Sequence, residues 1–193
     1  MLDDDTTATP PAWREIDARS RALGFDMPSE AGTGAMLRLL AASKPSGRLL
    51  ELGTGTGLAT AWLLDGMGQG AALVSLDNDA GVQAVARAVL GDDPRVTFAI
   101  GDGLDYVRSQ APANFDLIFA DAWPGKYDGL DETLALLRPG GLYVVDDMSR
   151  QPNWPEDHQP RVDILTARLK SHPDLATVAL DWASGLVIAA RRS

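Results

Sequence analysis

Five short apolar runs recur along this chain: Arg48 to Leu52, Ala72 to Leu76, Arg95 to Ile100, Phe115 to Ala120 and Gly141 to Val145. Behind the first four come segments with helix-like apolar spacing, Ala59 to Leu64, Val82 to Leu90, Leu104 to Val107 and Leu130 to Leu137; Arg161 to Leu169 follows the fifth. Runs this short and this continuously apolar suit strands buried on both faces, and such strands pair in parallel through crossover helices. The alternation therefore predicts an α/β fold, a mostly parallel sheet with helices on both faces. Two helices are expected ahead of it, Trp13 to Leu23 and Ser29 to Ala42, the second with Ser29 as its N-cap. Near the end, Ala176 to Leu180 and Gly185 to Ala190 flank the short link Asp181 to Ser184, which predicts an antiparallel pair at one edge.

No internal repeat or low-complexity block follows about residue 11, so 193 residues read as a single domain, 1–193. Within it, residues 1–26 read as a tail and helix, and 27–193 as the ligand-binding core. A net charge of −10 and a pI near 4.5 disfavour nucleic acid and anionic membrane as partners, since both select basic patches. The partner expected is a small molecule or another protein. The acidic start MLDDDTTATPP has neither signal nor transit character, and no apolar run approaches the ~18 residues of a membrane span. With no cysteine there is no disulfide, thiolate metal site or thiol nucleophile, and a cytoplasmic location is the expectation.

Ligands of open α/β sheets bind beyond the carboxyl ends of the strands. There this chain places Glu51, Asp77, Asp102, Asp121 and the adjacent pair Asp146 and Asp147. Acids also cap helices, and for Asp102, ahead of Leu104, that reading fits equally well. Glu51, Asp77 and Asp121 stand too far from their helices for it. Several carboxylates on one rim repel each other and resist desolvation, so a cationic ligand, a metal ion or both are expected among them.

The first strand runs into Leu49-Leu-Glu-Leu-Gly-Thr-Gly-Thr-Gly57. Alternate glycines let backbone approach a ligand at a helix start. The dinucleotide fingerprint would need a glycine where Leu58 stands, and no Gly-Lys-Ser/Thr follows to make a phosphate loop. Asp77 lies about 20 residues beyond, the separation at which an acid meets ribose hydroxyls. A nucleoside without a phosphate satisfies both facts.

Glu-x-Gly-x-Gly-x-Gly, Asp77 with Asn78, and Gly101-Asp102-Gly103 together resemble the class I methyltransferases that use S-adenosylmethionine. The resemblance implies their Rossmann-like fold, a seven-stranded, mostly parallel sheet with an antiparallel edge strand. It also implies cofactor contacts from Glu51, Gly53, Thr54, Gly55 and Gly57 near the amino-acid part, from Asp77 and Asn78 at the ribose, and from Asp102 and Gly103 near the adenine. Asp121 and Trp123 would complete that wall. Met27-Pro-Ser-Glu-Ala-Gly, Phe115-Asp-Leu-Ile-Phe-Ala-Asp121 and Leu137-Arg-Pro-Gly-Gly-Leu-Tyr-Val-Val-Asp146-Asp147 are similar to the catechol and caffeoyl-coenzyme A O-methyltransferases. In that branch the corresponding acids hold a divalent cation such as Mg²⁺ that also binds the acceptor oxygens. Asp121, Asp146 and Asp147 are thus the metal candidates, with a carboxylate where the branch has an asparagine. Asp146 and Asp147 can converge only if the strand stops and the chain turns between them.

That resemblance implies methyl transfer to a hydroxyl of a small catechol-like acceptor. One departure bears on the base: the branch has a lysine three residues after the fourth-strand acid, where this chain has Pro124. Lys126, beyond a Pro-Gly turn, and His158 are the substitutes, with Asp121 the third catalytic candidate; both Lys126 and His158 read equally as solvated loop residues. His172 reads as a helix C-cap. Trp123 and Trp154 either stack on the ligands or pack under a loop. Ser29-Glu30 and 149–158 would supply the remaining walls, leaving the acceptor site open or completed by a second copy in a homodimer. A metal-free transferase to nitrogen or carboxylate, a binding protein without turnover, and a dehydrogenase are the competing readings.

Overall fold

The structure is a computed structural model that describes residues 8–151, 154–155 and 158–193. The acidic start over 1–7 and part of the expected wall at 152–153 and 156–157 lie outside the described residues. In chain order the elements are α1 (Trp13–Leu23), α2 (Ala31–Ala42), β1 (Arg48–Leu52), α3 (Leu58–Gly66), β2 (Ala72–Asp77), α4 (Ala80–Leu90) and β3 (Val96–Ile100). Then come α5 (Gly103–Ser109), β4 (Phe115–Ala120), α6 (Leu130–Ala135), β5 (Leu137–Val145), α7 (His158–Ser171), β6 (Leu175–Leu180) and β7 (Leu186–Arg191). The sheet order is β3-β2-β1-β4-β5-β7-β6. Its first five strands pair in parallel, and β7 lies antiparallel to both β5 and β6.

Several expected boundaries move by a few residues, two of them for a clear local reason. Leu137 leaves the sixth helix and opens β5, because it pairs with Phe115 before the register shifts across Arg138-Pro-Gly-Gly. Ser29 does not cap α2: Glu30 takes the N-cap position without a side-chain bond, and the Ser29 hydroxyl donates to Asp121 instead, at 3.2 Å.

Side chains alternate along a strand, so each central strand feeds two cores. Leu49, Leu117, Phe119 and Val144 pack with Ile16 of α1, Leu37 of α2, Leu63 of α3 and Leu90 of α4. On the opposite face Leu50, Leu52, Ile118, Tyr143 and Val145 pack with Val107 of α5, Leu130 of α6 and Leu165 of α7. Helix α1 packs against α3 and α4, and its Ser20 hydroxyl donates to Thr56 in the glycine loop at 2.7 Å. No helix among the described residues is long and apolar enough to cross a membrane.

The period of two also decides where Glu51 points. It shares a face with Leu49, toward α3, and is wholly buried beneath the glycine loop. There its Oε2 accepts from Thr60 Oγ1 at 2.6 Å and from Ser75 Oγ. Ser75 in turn meets Thr54 Oγ1 at 2.7 Å, and Gln83 donates to the same Thr54 atom at 2.9 Å. The chain of bonds ties the loop to β1, β2 and α4. Among the described residues Glu51 Oε1 has no hydrogen-bond partner. Burial pushes this carboxyl up to about 7, although the Ser75 and Thr60 bonds favour its charged form.

Two outcomes follow for stability. Phe119, fully buried between β4 and the α1–α4 layer, should cost about 3–5 kcal/mol as Phe119→Ala in denaturant unfolding. For Glu51 the folded carboxyl is harder to ionise than the unfolded one, so its contribution is complete below about pH 4.5 and is lost as pH rises to about 7. Urea titrations across that window should show Glu51→Gln lacking about 3 kcal/mol of the wild-type decline.

Candidate functional site

The parallel sheet reverses its winding between β1 and β4, and a cavity of about 790 Å³ opens over the carboxyl ends of the strands at that point. One half is built by the glycine loop. The amides of Gly53 and Thr54 donate to the Leu76 carbonyl at 2.9 and 3.1 Å, holding the loop against the end of β2. Asp77 fastens it further: Oδ2 accepts from the Gly55 amide at 2.7 Å and Oδ1 from the Asp79 amide at 2.9 Å. Glycine is required at Gly53, where φ is 98° and a Cβ would stand 2.6 Å from the Asp121 carbonyl oxygen. At Gly57 the reason is packing, since a Cβ would meet that of Ala86 in α4 at 2.6 Å.

Nine of the eleven residues expected at the cofactor line this cavity: Gly53, Thr54, Gly55, Asp77, Asn78, Asp102, Gly103, Asp121 and Trp123. Glu51 and Gly57 do not, and their places are corrected. Glu51 supports the loop from below, and Gly57 seats it on α4. Asp102 satisfies both readings, for it lines the cavity while its Oδ1 caps α5 through the amides of Leu104 and Asp105 at 2.8 and 3.0 Å.

The other half is the acid end of β4 and β5. Asp121 accepts from Ser29, and burial together with the charges of Asp146 and Asp147 pushes its carboxyl well above the usual range. Asp146 is nearly buried and is pushed up to about 6, chiefly by burial. Its Oδ1 accepts from Thr33 at 3.3 Å, from the Asp147 amide at 2.8 Å and from Ser184. The chain turns between the pair, as convergence requires: β5 ends at Val145, and Asp147 takes a left-handed φ of 55°.

Lys126 is buried, with 5% exposure, so the solvated-loop reading fails. The amides of Lys126, Tyr127 and Asp128 all turn onto the Trp123 carbonyl, while Tyr143 pins the Gly125 carbonyl at 2.6 Å. This tight turn aims the ammonium inward, where Nζ donates to the Asp146 carbonyl at 2.6 Å. Burial lowers its pKa, and the charges of Asp147, Asp121 and Asp146 oppose that fall. His158 opens α7 and also lines the cavity, its Nε2 lying 3.3 Å from the Tyr127 hydroxyl. Ring centres of Trp154, Tyr127 and Trp123 stand 4.2, 5.8 and 6.4 Å from the His158 ring. His172 just follows α7 and accepts from the Asp174 amide at 3.2 Å.

Asp121, Asp146 and Asp147 thus share one cavity, yet they do not fit a divalent cation. Among the described residues no group of three or more His, Cys, Asp or Glu side chains is arranged to hold a metal. Three donors already engage Asp146 Oδ1, and Lys126 brings a positive charge into the same cluster.

Sequence reasoning missed Phe25, whose ring covers Gly55, and Tyr127, which joins the aromatic wall. Thr33 and Ser184 were missed as well. Only Tyr127 carried a local signal, the Trp-Pro-Gly-Lys-Tyr loop after β4. The others come from α1's end, α2 and the β6–β7 link, which folding alone brings to Gly55 and Asp146.

Comparison with known proteins agrees with this geometry. A protein named "putative O-methyltransferase" in Mycobacterium avium is 37% identical over 138 residues, which cover 66% of this chain and 60% of that protein. A namesake in Mycolicibacterium vanbaalenii is 33% identical over 135 residues, 66% and 59% of the two lengths, so the chain spans about three fifths of these curated relatives. Among solved structures, the cofactor-bound Rv0187 protein of Mycobacterium tuberculosis matches with a TM-score of 0.86 and 28% identity over 100% of this chain and 94% of its own. An O-methyltransferase from Bacillus cereus in complex with SAH shares the fold, with a TM-score of 0.84 and 22% identity over 98% and 94%. The model of the methyltransferase domain matches residues 50–148, about half of the chain and the stretch from β1 to the acid pair, and the chain belongs to that family.

Proposed function

We propose that this chain transfers the methyl group of S-adenosylmethionine to a hydroxyl oxygen of a small aromatic acceptor. The observation that carries the reading is a single cavity joining two unlike halves, an acid-fastened glycine loop and an aromatic wall of Trp123, Tyr127 and Trp154 beside Lys126 and His158. Bound there, S-adenosylmethionine supplies a methyl group made electrophilic by its sulfonium. Asp77, already oriented by the Gly55 and Asp79 amides, is placed to accept from ribose hydroxyls. Backbone at Gly53 and Gly55 has no side chain to hold the ligand away from β1. The raised carboxyls of Asp121 and Asp146 favour a positive ligand, whose charge relieves their mutual repulsion.

Methyl transfer from sulfonium to oxygen cancels opposite charges, so alignment and release of the hydroxyl proton dominate what the protein can add; alignment alone contributes about 7–11 kcal/mol. His158 is the group in the cavity suited to take that proton, and the Tyr127 hydroxyl beside His158 Nε2 can orient the imidazole. The aromatic edges around His158 give a flat acceptor ring a face to pack against.

Incubation with labelled S-adenosylmethionine and a panel of hydroxylated aromatic compounds tests the reading. O-methylated product from any of them is the expected result; tight S-adenosylhomocysteine binding with no product across the panel would leave a binding protein instead. Asp77→Ala removes both the ribose acceptor and the fastening of Gly55, and calorimetry should show S-adenosylhomocysteine affinity falling roughly ten- to hundredfold.

A further inference from the structure

The acid end of the cavity already contains a cation of the protein's own. Lys126 is buried, lines the cavity, and feels the charges of Asp121, Asp146 and Asp147. An ammonium has three N–H donors. Among the described residues Nζ donates to the Asp146 carbonyl alone, at 2.6 Å, and no carboxylate lies within ion-pair distance of it. Its other contact is with the Tyr127 ring, 5.3 Å from the centroid, so a buried ammonium at the wall of a ligand cavity keeps N–H donors that no protein oxygen among the described residues accepts.

The turn that delivers it is not incidental. Gly125 has a φ of 84°, and a Cβ there would stand 2.4 Å from Leu52 Cδ1, so the backbone is pressed onto β1. Tyr143, itself fully buried, holds the same Gly125 carbonyl. Bonds from Thr33, Ser184 and the Asp147 amide meanwhile turn Asp146 Oδ1 toward the protein. One oxygen of Asp146 and one of Asp121, which accepts from Ser29, are thus engaged, and a positive charge is added beside them.

We propose that the Lys126 ammonium stands in for a divalent cation, offsetting the charge of Asp121, Asp146 and Asp147 and donating a hydrogen bond to the acceptor's oxygen, so that the chain works without metal. The proposal deepens the methyl-transfer reading and rests on it for the acceptor, but its metal arm can be read without turnover.

Manganese titration of the full chain, followed by the bound-ion resonance signal and by thermal melting, is the first measurement. Wild type should bind no Mn²⁺ at millimolar concentration and should melt at the same temperature in Mn²⁺ and in chelator. Stoichiometric Mn²⁺ binding that Asp146→Asn abolishes would overturn the proposal. The second measurement is Lys126→Met, which keeps the stem and removes the charge. With any acceptor that turns over, kcat/KM should fall at least a hundredfold while S-adenosylhomocysteine affinity stays within about threefold, and Lys126→Arg should recover part of the loss. Wild-type turnover that chelator abolishes and Mg²⁺ restores would also overturn it. Should Lys126→Met fail to fold, the wild-type titration decides alone; should no acceptor turn over, the methyl-transfer reading fails while the titration still answers for Lys126.

Discussion

Desolvating a carboxylate is costly unless donors or a cation meet it, and this chain gathers six acids around one end of its sheet. Each is accommodated differently. Asp77 and Asp102 spend their oxygens on backbone amides and so bind the glycine loop and the start of α5. Burial favours the neutral form of Glu51, against the hydroxyls on one of its oxygens; among the described residues the other oxygen has no partner. Asp121 and Asp146 are held high by burial, with Asp147 near enough to repel both. The site is an electrostatic cup whose charge is only partly answered from within, by Lys126.

That partial balance links architecture to chemistry. Where winding reverses between β1 and β4, neighbouring helices diverge and leave a cleft. The Gly53 loop and the Asp121 backbone meet there at a contact only glycine permits. The glycine loop, Asp77 and Asp102 follow β1, β2 and β3, whereas the acid pair, Lys126 and the aromatic wall follow β4 and β5 or open α7. A ligand spanning both halves connects two sets of residues whose only shared element is the sheet edge.

Lys126 also shows how a departure from a pattern can be absorbed. Pro124 stands where the resembling enzymes have lysine, but the Pro-Gly turn after it carries the next cation back to the acid cluster. The turn depends on Leu52, Tyr143 and the Trp123 carbonyl, none of which a spacing rule would weigh. Three residues of spacing became five, and the path of the backbone made up the difference.

Much of this was legible in the amino-acid order, for a physical reason. Apolar runs and helix-spaced segments are local patterns, so β1, β4 and α1 were placed to the residue, and Gly53, Gly55, Asp77, Asp102, Asp121, Asp146 and Asp147 were expected at the strand ends where they line the cavity. Matters of facing and long-range contact were not. Strand alternation alone could have put Glu51 on either side of the sheet, and only the packing of Thr60 and Ser75 showed it to lie under the loop. Ser29 read as a cap until α2 docked and turned its hydroxyl to Asp121. Thr33, Ser184 and Phe25 carry no sign of a site in their own neighbourhoods, and the burial of Lys126 depends on side chains more than fifteen residues away through the tight turn's supports. Periodicity and composition are written along the chain, whereas which charges face each other, and how much water remains between them, exist only once the helices have closed over the sheet.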